Sequence, residues 1–396
     1  MSVTAMSTQN SDEIMFFGEK EVRWYQIASL HEVEHHLINV GHKRICVSLP
    51  TGAGKTITSG IIFNSPAIRR WMGLSNEVDD NGIYIEKMRV MFLAHKNRLL
   101  SQAEETFAHA NGVELICQSV FSDIPVHEIE KGWHLTVIDE AHHEGAASYQ
   151  YKLELLTQNM KSKLGFIPLI GLTATWQRAD GLLIKFDHIV QPISREQAVK
   201  EGWLSPADIF SFVDPTNSDN KTKILSDIFT DYHSQMGRGI VFVKTKDEVE
   251  IITQHIKSLG LRVVGVTNMS DKSLNTVLDQ FSEGLWDFVV NCNKISEGVD
   301  VKGCDCVVIG RTVGSYPLLN QIIGRAARPD SVCRVFELIN PFNARNLDTT
   351  VVVGTPQNHK LIYKRGGKWK EKTFEYVSAA VDDSFTNVSR IAGGIR

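Results

Sequence analysis

The stretch Leu49-Pro50-Thr51-Gly52-Ala53-Gly54-Lys55-Thr56 decides how this chain is read. Before it, Ile45-Cys46-Val47-Ser48-Leu49 is a short apolar run that predicts a buried strand; after it, Ile57 to Phe63 predicts the first turns of a helix. A strand, a glycine-rich turn and a helix N-terminus together make an anion site, because backbone N–H groups and the positive helix end point at one place. Thr51, Gly52, Ala53 and Gly54 would wrap a nucleotide's phosphates, Lys55 would reach the β- and γ-phosphates, and the Thr56 hydroxyl would bind Mg2+. Leu49 occupies the position where the strict pattern has glycine.

Around this stretch the chain has ordinary proportions. Its 396 residues predict two or three domains. A hydrophobic content of 42% with 22% charged residues suits a water-soluble globular protein. No apolar run reaches the ~18–20 residues of a membrane span, and Met1 to Ser11 is polar, without the basic and apolar regions of a secretory signal. Six cysteines without framework spacing suggest a reducing compartment. Among them Cys304-Asp305-Cys306, with Cys333 and Cys292, suits buried strands better than zinc. A cytoplasmic protein is expected, in a host cell if the chain is phage-encoded. Net charge is −4, but residues 1–213 carry −6 and the remainder +2, so a local basic groove is compatible with the weak average.

Taken in order, Glu19 to Val40 has helical periodicity, with Val22, Ile27, Leu30, Val33, Leu37 and Val40 on or near one face and Gly41 as its stop. It carries Arg23-Trp24-Tyr25-Gln26; the Gln26 amide offers a donor and an acceptor, which suits an adenine edge. Asn64 to Gly82, with its breakers and acidic cluster, reads as a surface loop. Further strands are predicted at Arg89–Ala94, Glu114–Val120, Leu135–Ile138 and Pro168–Leu172. Lys96 and Arg98 follow the first of these, at a strand end where open α/β sheets bind ligands. Asp139-Glu140-Ala141-His142 ends the third; its adjacent carboxylates suit an Mg2+ ligand (Asp139) and a residue that orients or deprotonates water (Glu140). Thr173-Ala174-Thr175 ends the fourth, where small hydroxyl residues could connect a nucleotide pocket to another surface. The strand–helix alternation over residues 42–213 predicts a doubly wound parallel sheet.

Asp214-Pro215-Thr216-Asn217-Ser218-Asp219-Asn220 is the expected domain boundary. A second alternating unit follows, with strands at Gly239–Val243, Arg262–Val266, Phe288–Asn291, Val307–Ile309 and Val335–Ile339 and no phosphate loop of its own. It carries Gln321, Arg325 and Arg328 on a helix predicted over Pro317–Ala327, and two guanidiniums three residues apart share a helical face. From Asn343 onward the chain has a net charge of +4, and Leu361 to Lys372 predicts a hairpin about Gly366-Gly367. Lys364, Arg365 and Lys368 beside Trp369 are the mix that binds single strands through phosphate contact and stacking; lysines also keep an edge hairpin soluble. Four segments result: a tail (1–20), a first α/β domain (21–213), a second (214–341) and an extension (342–396).

Together these stretches resemble the motor core of superfamily 2 helicases of the DEAH-box type, in the family's motif order from Arg23 to Pro329. Arg23–Gln26 is similar to the adenine-reading motif, Pro50–Thr56 to motif I, Phe92–Gln102 to motif Ia, Asp139–His142 to motif II and Thr173–Thr175 to motif III. Val241–Thr245 resembles motif IV, Asn293–Asp300 motif V and Gln321–Arg328 motif VI. The pattern over 171–181, followed by Ala198 to Pro206, is similar to the DNA-acting XPB, RecG, UvsW and restriction-translocase group. Ile322 and Ala327 replace the Arg and Gly usual in RNA-remodelling relatives. Trp176 stands where the group usually has Pro, and the helix after Ser270 lacks the usual Arg before Phe281-x-x-Gly284.

The resemblance implies two tandem RecA-like domains, ATP with Mg2+, and catalysis by Lys55, Asp139, Glu140, Gln321, Arg325 and Arg328. It implies coupling through His142, Thr173, Thr175, Gly298 and Asp300, and nucleic-acid contact through Lys96, Arg98 and Lys244. A monomer acting on single-stranded, forked or branched DNA is expected, with any nuclease supplied by a partner protein. A duplex translocase that does not unwind and an RNA-stimulated remodeller are the competing readings.

Overall fold

The computed structural model describes residues 16–95, 97–108, 110–143, 164–175, 185–213, 221–292, 294–295, 301–313, 315–324, 326, 333–339, 349, 353 and 357–374. The chain divides into two compact units, Met1–Ser194 and Arg195–Arg396.

In the first unit, β1 (Phe16–Phe17) and β2 (Lys20–Glu21) form a short antiparallel hairpin ahead of helix α1 (Trp24–Glu34). The helix expected from Glu19 thus starts later, because Glu19 to Glu21 is spent on the hairpin. Six parallel strands follow: β3 (Arg44–Ser48), β4 (Met88–Ala94), β5 (Val113–Ser119), β6 (Leu135–Asp139), β7 (Leu169–Thr173) and β8 (His188–Val190). Their order is β5-β4-β6-β7-β3-β8. Strands covered on both faces read as continuous apolar runs, and β4 is buried at every position but Arg89. Because β6, β7 and β3 are neighbours and parallel, their C-terminal ends lie side by side. Those ends lead into Asp139–His142, Thr173–Thr175 and the Pro50–Thr56 turn.

The Asn64–Gly82 insertion is more ordered than a loop. Ser65 caps a short helix, Pro66–Trp71, accepting the Ile68 N–H at 3.1 Å. Arg69, fully buried, donates to the carbonyls of Ser75 and Glu86 and packs its guanidinium 3.9 Å above the Tyr84 ring. A buried cation bonded to backbone oxygens and covered by a ring face ties the short helix to the Ser75–Glu86 stretch that follows it.

The second unit is built on eight strands: β9 (Ala207–Val213), β10 (Gly239–Phe242), β11 (Val263–Val266), β12 (Phe288–Asn291), β13 (Cys306–Ile309), β14 (Cys333–Ile339), β15 (Asn358–Arg365) and β16 (Lys368–Phe374). The order is β11-β12-β10-β13-β14-β9-β15-β16, parallel throughout except for the last pair. One apolar cluster includes Leu274, Leu278 and Phe281 from the helix Asp271–Ser282; the other includes Phe229 and Ile252 from the helices Lys221–Met236 and Lys246–Ser258. Cys304, Cys306 and Cys333 are buried here, and burial pushes the Cys306 and Cys333 thiols up, as expected of structural strand cysteines.

Two expected boundaries move. Strand β9 lies between β14 and β15, so the division falls at Ser194/Arg195 rather than after residue 213. The hairpin is likewise part of the second sheet, not a separate extension. A polar, breaker-rich stretch marks an exposed connection; it does not distinguish a linker between domains from a loop within one. Residues 214–220 themselves lie outside the described residues.

Candidate nucleotide site

Helix α2 (Lys55–Phe63) begins at Gly54, which lends no side-chain cap to its first turn. The first N–H groups of α2 therefore face outward without an intrahelical partner, the condition for receiving an anion. Gly52 and Gly54 hold φ of +88° and +85°, left-handed conformations that bend the turn back over the helix axis. The turn is closed by the Ala53 N–H on the Pro50 carbonyl at 3.0 Å. Leu49, in place of the usual glycine, is fully buried, and its N–H donates to the Thr173 carbonyl at 3.0 Å. The departure from the strict pattern therefore falls on the strand side of the turn.

Gln26, on α1, reaches the same turn. It is 1% exposed; its Oε1 accepts the Arg23 N–H at 2.9 Å, and its Nε2 donates to the Ala53 and Gly54 carbonyls at 3.3 Å each. Both ends of the amide are thus engaged with backbone, and Gln26 grips the phosphate turn. Tyr25 joins it: its hydroxyl donates to the Ala53 carbonyl at 3.0 Å and accepts from Arg23 at 2.8 Å. The sequence reading missed Tyr25, although its place beside Gln26 on α1 was the available signal.

At the end of β6, Asp139 Oδ1 accepts the Glu140 N–H at 3.0 Å. Burial, then the Glu140 carboxylate, push the Asp139 carboxyl up from the usual carboxylate range, while Lys55 and that N–H pull it back. Glu140 has a φ of +52°, the single non-glycine residue with positive φ among those described. Such a conformation costs about 1–3 kcal/mol and persists where surrounding structure imposes it.

His142, 4% exposed, supplies part of that surrounding. Its Nδ1 lies 3.2 Å from Thr173 Oγ1 and 3.4 Å from Glu140 Oε2. The Thr173 hydroxyl donates to the Thr175 carbonyl at 2.6 Å and accepts the Thr175 N–H at 3.2 Å. With that hydroxyl proton committed, the His142 contact requires the proton on Nδ1, which then faces both Thr173 and Glu140. Thr173 is the junction: its hydroxyl meets the β6 end and its carbonyl holds the entry to the phosphate turn.

In the second unit, Gln321 lies on the helix Tyr316–Ile323, 3% exposed, with neither amide atom hydrogen-bonded among the described residues. Buried polar atoms of this kind call for an explanation, and a ligand is one. This helix stops at Ile323, short of the predicted Ala327. Arg325, Arg328, Gly298, Asp300 and Lys96 lie outside the described residues, and Arg98 is in the helix Asn97–Phe107. Lys244 is exposed at the end of β10.

On the hairpin, Trp369 is committed to packing. Its indole N–H donates to Asp231 at 2.7 Å, and its ring lies edge-on to Phe212 at 5.3 Å. Lys364 pairs with Asp227 and sits 4.6 Å from the Trp369 ring. Arg365 and Lys368 at the turn are exposed.

A phosphate turn on a parallel sheet, with carboxylates and a histidine–threonine junction on the adjacent strand ends, defines a RecA-like α/β nucleotide-binding unit followed by a second α/β unit. Comparison with known proteins agrees. Residues 19–123 match the family model of the type III restriction enzyme res subunit, and residues 220–330 match that of the helicase conserved C-terminal domain. IRC3 of Saccharomyces cerevisiae, a candidate ATP-dependent helicase, is 27% identical over 340 residues, covering 74% of this chain and 47% of that one. The type I restriction enzyme EcoAI endonuclease subunit of Escherichia coli is 23% identical over 385 residues, covering 78% and 44%. A fragment structure of a candidate HsdR subunit of a type I restriction enzyme from Vibrio vulnificus superposes with a TM-score of 0.60 at 18% identity, covering 88% and 70%. The chain spans about half the length of the curated relatives it matches. In these matches the chain is similar to superfamily 2 helicases, in the group that includes the restriction translocases.

Proposed function

We propose that this chain couples ATP hydrolysis to movement along DNA, as a helicase or translocase of DEAH-box type. The Thr173 junction carries the reading, because it gives a change at the nucleotide a hydrogen-bonded route from the β6 carboxylates to a second strand end. Lys55 and the α2 N–H groups hold the phosphates. Thr56 and Asp139 would hold a Mg2+ ion, a hydroxyl and a carboxylate being the oxygen donors it takes, and a cation there would offset the burial that pushes the Asp139 carboxyl up. When bound, the ion neutralises charge on the phosphate oxygens. Glu140 orients the attacking water and takes its proton. Gln321, Arg325 and Arg328 are assigned the developing charge on the γ-phosphate, a kind of contact worth ~10³–10⁵ in rate in other nucleotide hydrolases. His142, Thr173, Thr175, Gly298 and Asp300 are assigned the coupling. Lys96, Arg98, Lys244, Arg365 and Lys368 are assigned contacts to the nucleic-acid backbone, which predict weak sequence preference and strong salt dependence.

A second reading, a duplex translocase that does not separate strands, is favoured by the res-subunit match and the restriction-enzyme relative. Steady-state ATPase without nucleic acid and with single-stranded, forked and duplex DNA and RNA tests both. Stimulation by forked or single-stranded DNA is expected of the helicase, and by duplex alone of the translocase; stimulation by RNA alone would overturn the DNA assignment. Reversing Arg365 and Lys368 to Glu should flatten the log–log salt dependence of DNA binding by about one per lost phosphate contact.

Thr173→Val keeps the side chain's shape and removes the hydroxyl. The ratio of DNA-stimulated to basal hydrolysis is expected to fall about fivefold, the equivalent of one hydrogen bond of ~1 kcal/mol. An unchanged ratio would take Thr173 out of the coupling route.

A further inference from the structure

On the opposite flank of the first unit, three histidines from different elements meet. His36 lies in a π-helical segment, His35–Val40, that continues α1, and π segments inside helices are frequent at functional sites. Gly41, at φ +83°, turns the chain back, and the His42 N–H bonds the His36 carbonyl at 2.9 Å, which brings the two imidazoles together. His188 opens the edge strand β8, pinned beside them as the Asp187 carboxylate accepts the Lys43 and Arg44 N–H groups at 2.8 and 2.9 Å. His188 pairs in register with Ile45.

From this geometry we propose that His36, His42 and His188 form a binding site for a borderline-soft divalent transition metal, Zn2+ being the representative ion. Ligand atoms of the three residues all lie within 4.8 Å of one another. The Nδ1 atoms of His36 and His42 are 3.2 Å apart, close to the edge of about 3.3 Å that a tetrahedral zinc site with bonds of about 2.0–2.1 Å requires. His188 Nε2 lies 2.9 Å from Glu32 Oε1. That is the carboxylate–histidine pairing found behind metal ligands, and it leaves His188 Nδ1 for the ion. His188 stacks on His36 with ring centroids 3.5 Å apart, so convergence of three lone pairs takes rotation about χ2, a soft torsion for imidazole. All three rings are half-buried, open enough for an ion to enter and retain a water as fourth ligand. An all-imidazole donor set favours zinc, copper or nickel over the Mg2+ assigned to the nucleotide site. The ion would clip the end of α1 to the edge of the sheet, and α1 is the helix whose Tyr25 and Gln26 hold the phosphate turn.

Calorimetric titration of the untagged, chelator-treated full chain tests the assignment. One equivalent of Zn2+ is expected to bind in the presence of excess Mg2+, with a rise in thermal unfolding midpoint, and Co2+ should give the intense visible absorption of a tetrahedral site. His42→Ala and His188→Ala should each lose this equivalent, and Glu32→Ala should weaken it about 10- to 100-fold. Unfolding of each metal-free variant at the wild-type midpoint would show that the chain still folds. Absence of stoichiometric Zn2+ binding to the wild type, or its persistence in both histidine variants, would overturn the site.

Discussion

Replacing Glu140 by glutamine is expected to slow ATP hydrolysis about 10²- to 10⁴-fold, the usual contribution of a positioned general base. The amide keeps the length and planarity of the carboxylate, so the left-handed turn at φ +52° and the approach of His142 are retained. What disappears is the ability to take a proton from water. Nucleotide binding, read by fluorescent-analogue titration, should therefore survive while turnover collapses. A loss of less than about tenfold would place the base elsewhere and leave Glu140 as a structural part of the turn.

Gly54→Ala is expected to be nearly as damaging, for a different reason. At φ +85° an L side chain is strained, at a cost of about 1–3 kcal/mol. The new Cβ would also lie 2.6 Å from Gln26 Nε2. Gln26 cannot swing aside without releasing the Arg23 N–H and the Ala53 and Gly54 carbonyls. The strain falls on the phosphate turn, so ATP turnover should drop more than about tenfold and the urea midpoint should fall with it. Pairing the change with Gln26→Ala separates the two causes, because it removes the clash and leaves the backbone strain. Near-normal turnover in Gly54→Ala would mean that the turn reshapes on binding.

The parts of this molecule that could be read in advance are those whose chemistry is local. The phosphate turn announces itself because strand, glycines, lysine and helix are contiguous, and Asp139–His142 because a carboxylate pair at the end of an apolar strand is unusual. Contacts across the sheet were not readable. Nothing in Leu49 says that its N–H meets the Thr173 carbonyl, and nothing in Gln26 says that its amide bonds the Ala53 and Gly54 carbonyls. Trp369 beside lysines looks like a stacking platform until Asp231 and Phe212 are found around it. His188 lies 146 positions beyond His42, and only the pairing of β8 with β3 brings them together. The strand β9 was missed as a member of the second sheet for the same reason, since its partners come more than a hundred residues later.

That placement of β9 carries a consequence for how the chain is made. Ala207–Val213 is the first strand of its sheet to leave the ribosome, yet its two neighbours, Cys333–Ile339 and Asn358–Arg365, are the last but two and last but one. At about 5–20 residues per second, roughly 7–30 s of synthesis separate Val213 from Asn358. Until Cys333–Ile339 emerges, about 6–24 s after Val213, Phe210 and Phe212 have no sheet to join, while the first unit already has every strand it needs. Nascent chains should thus pass through a stage with one finished unit and one exposed apolar strand, the stage most open to chaperones and to aggregation. A chain ended near residue 341, at the close of the second motor domain expected from the sequence, would stay there in part, with one edge of β9 bare and Phe212 stripped of Trp369.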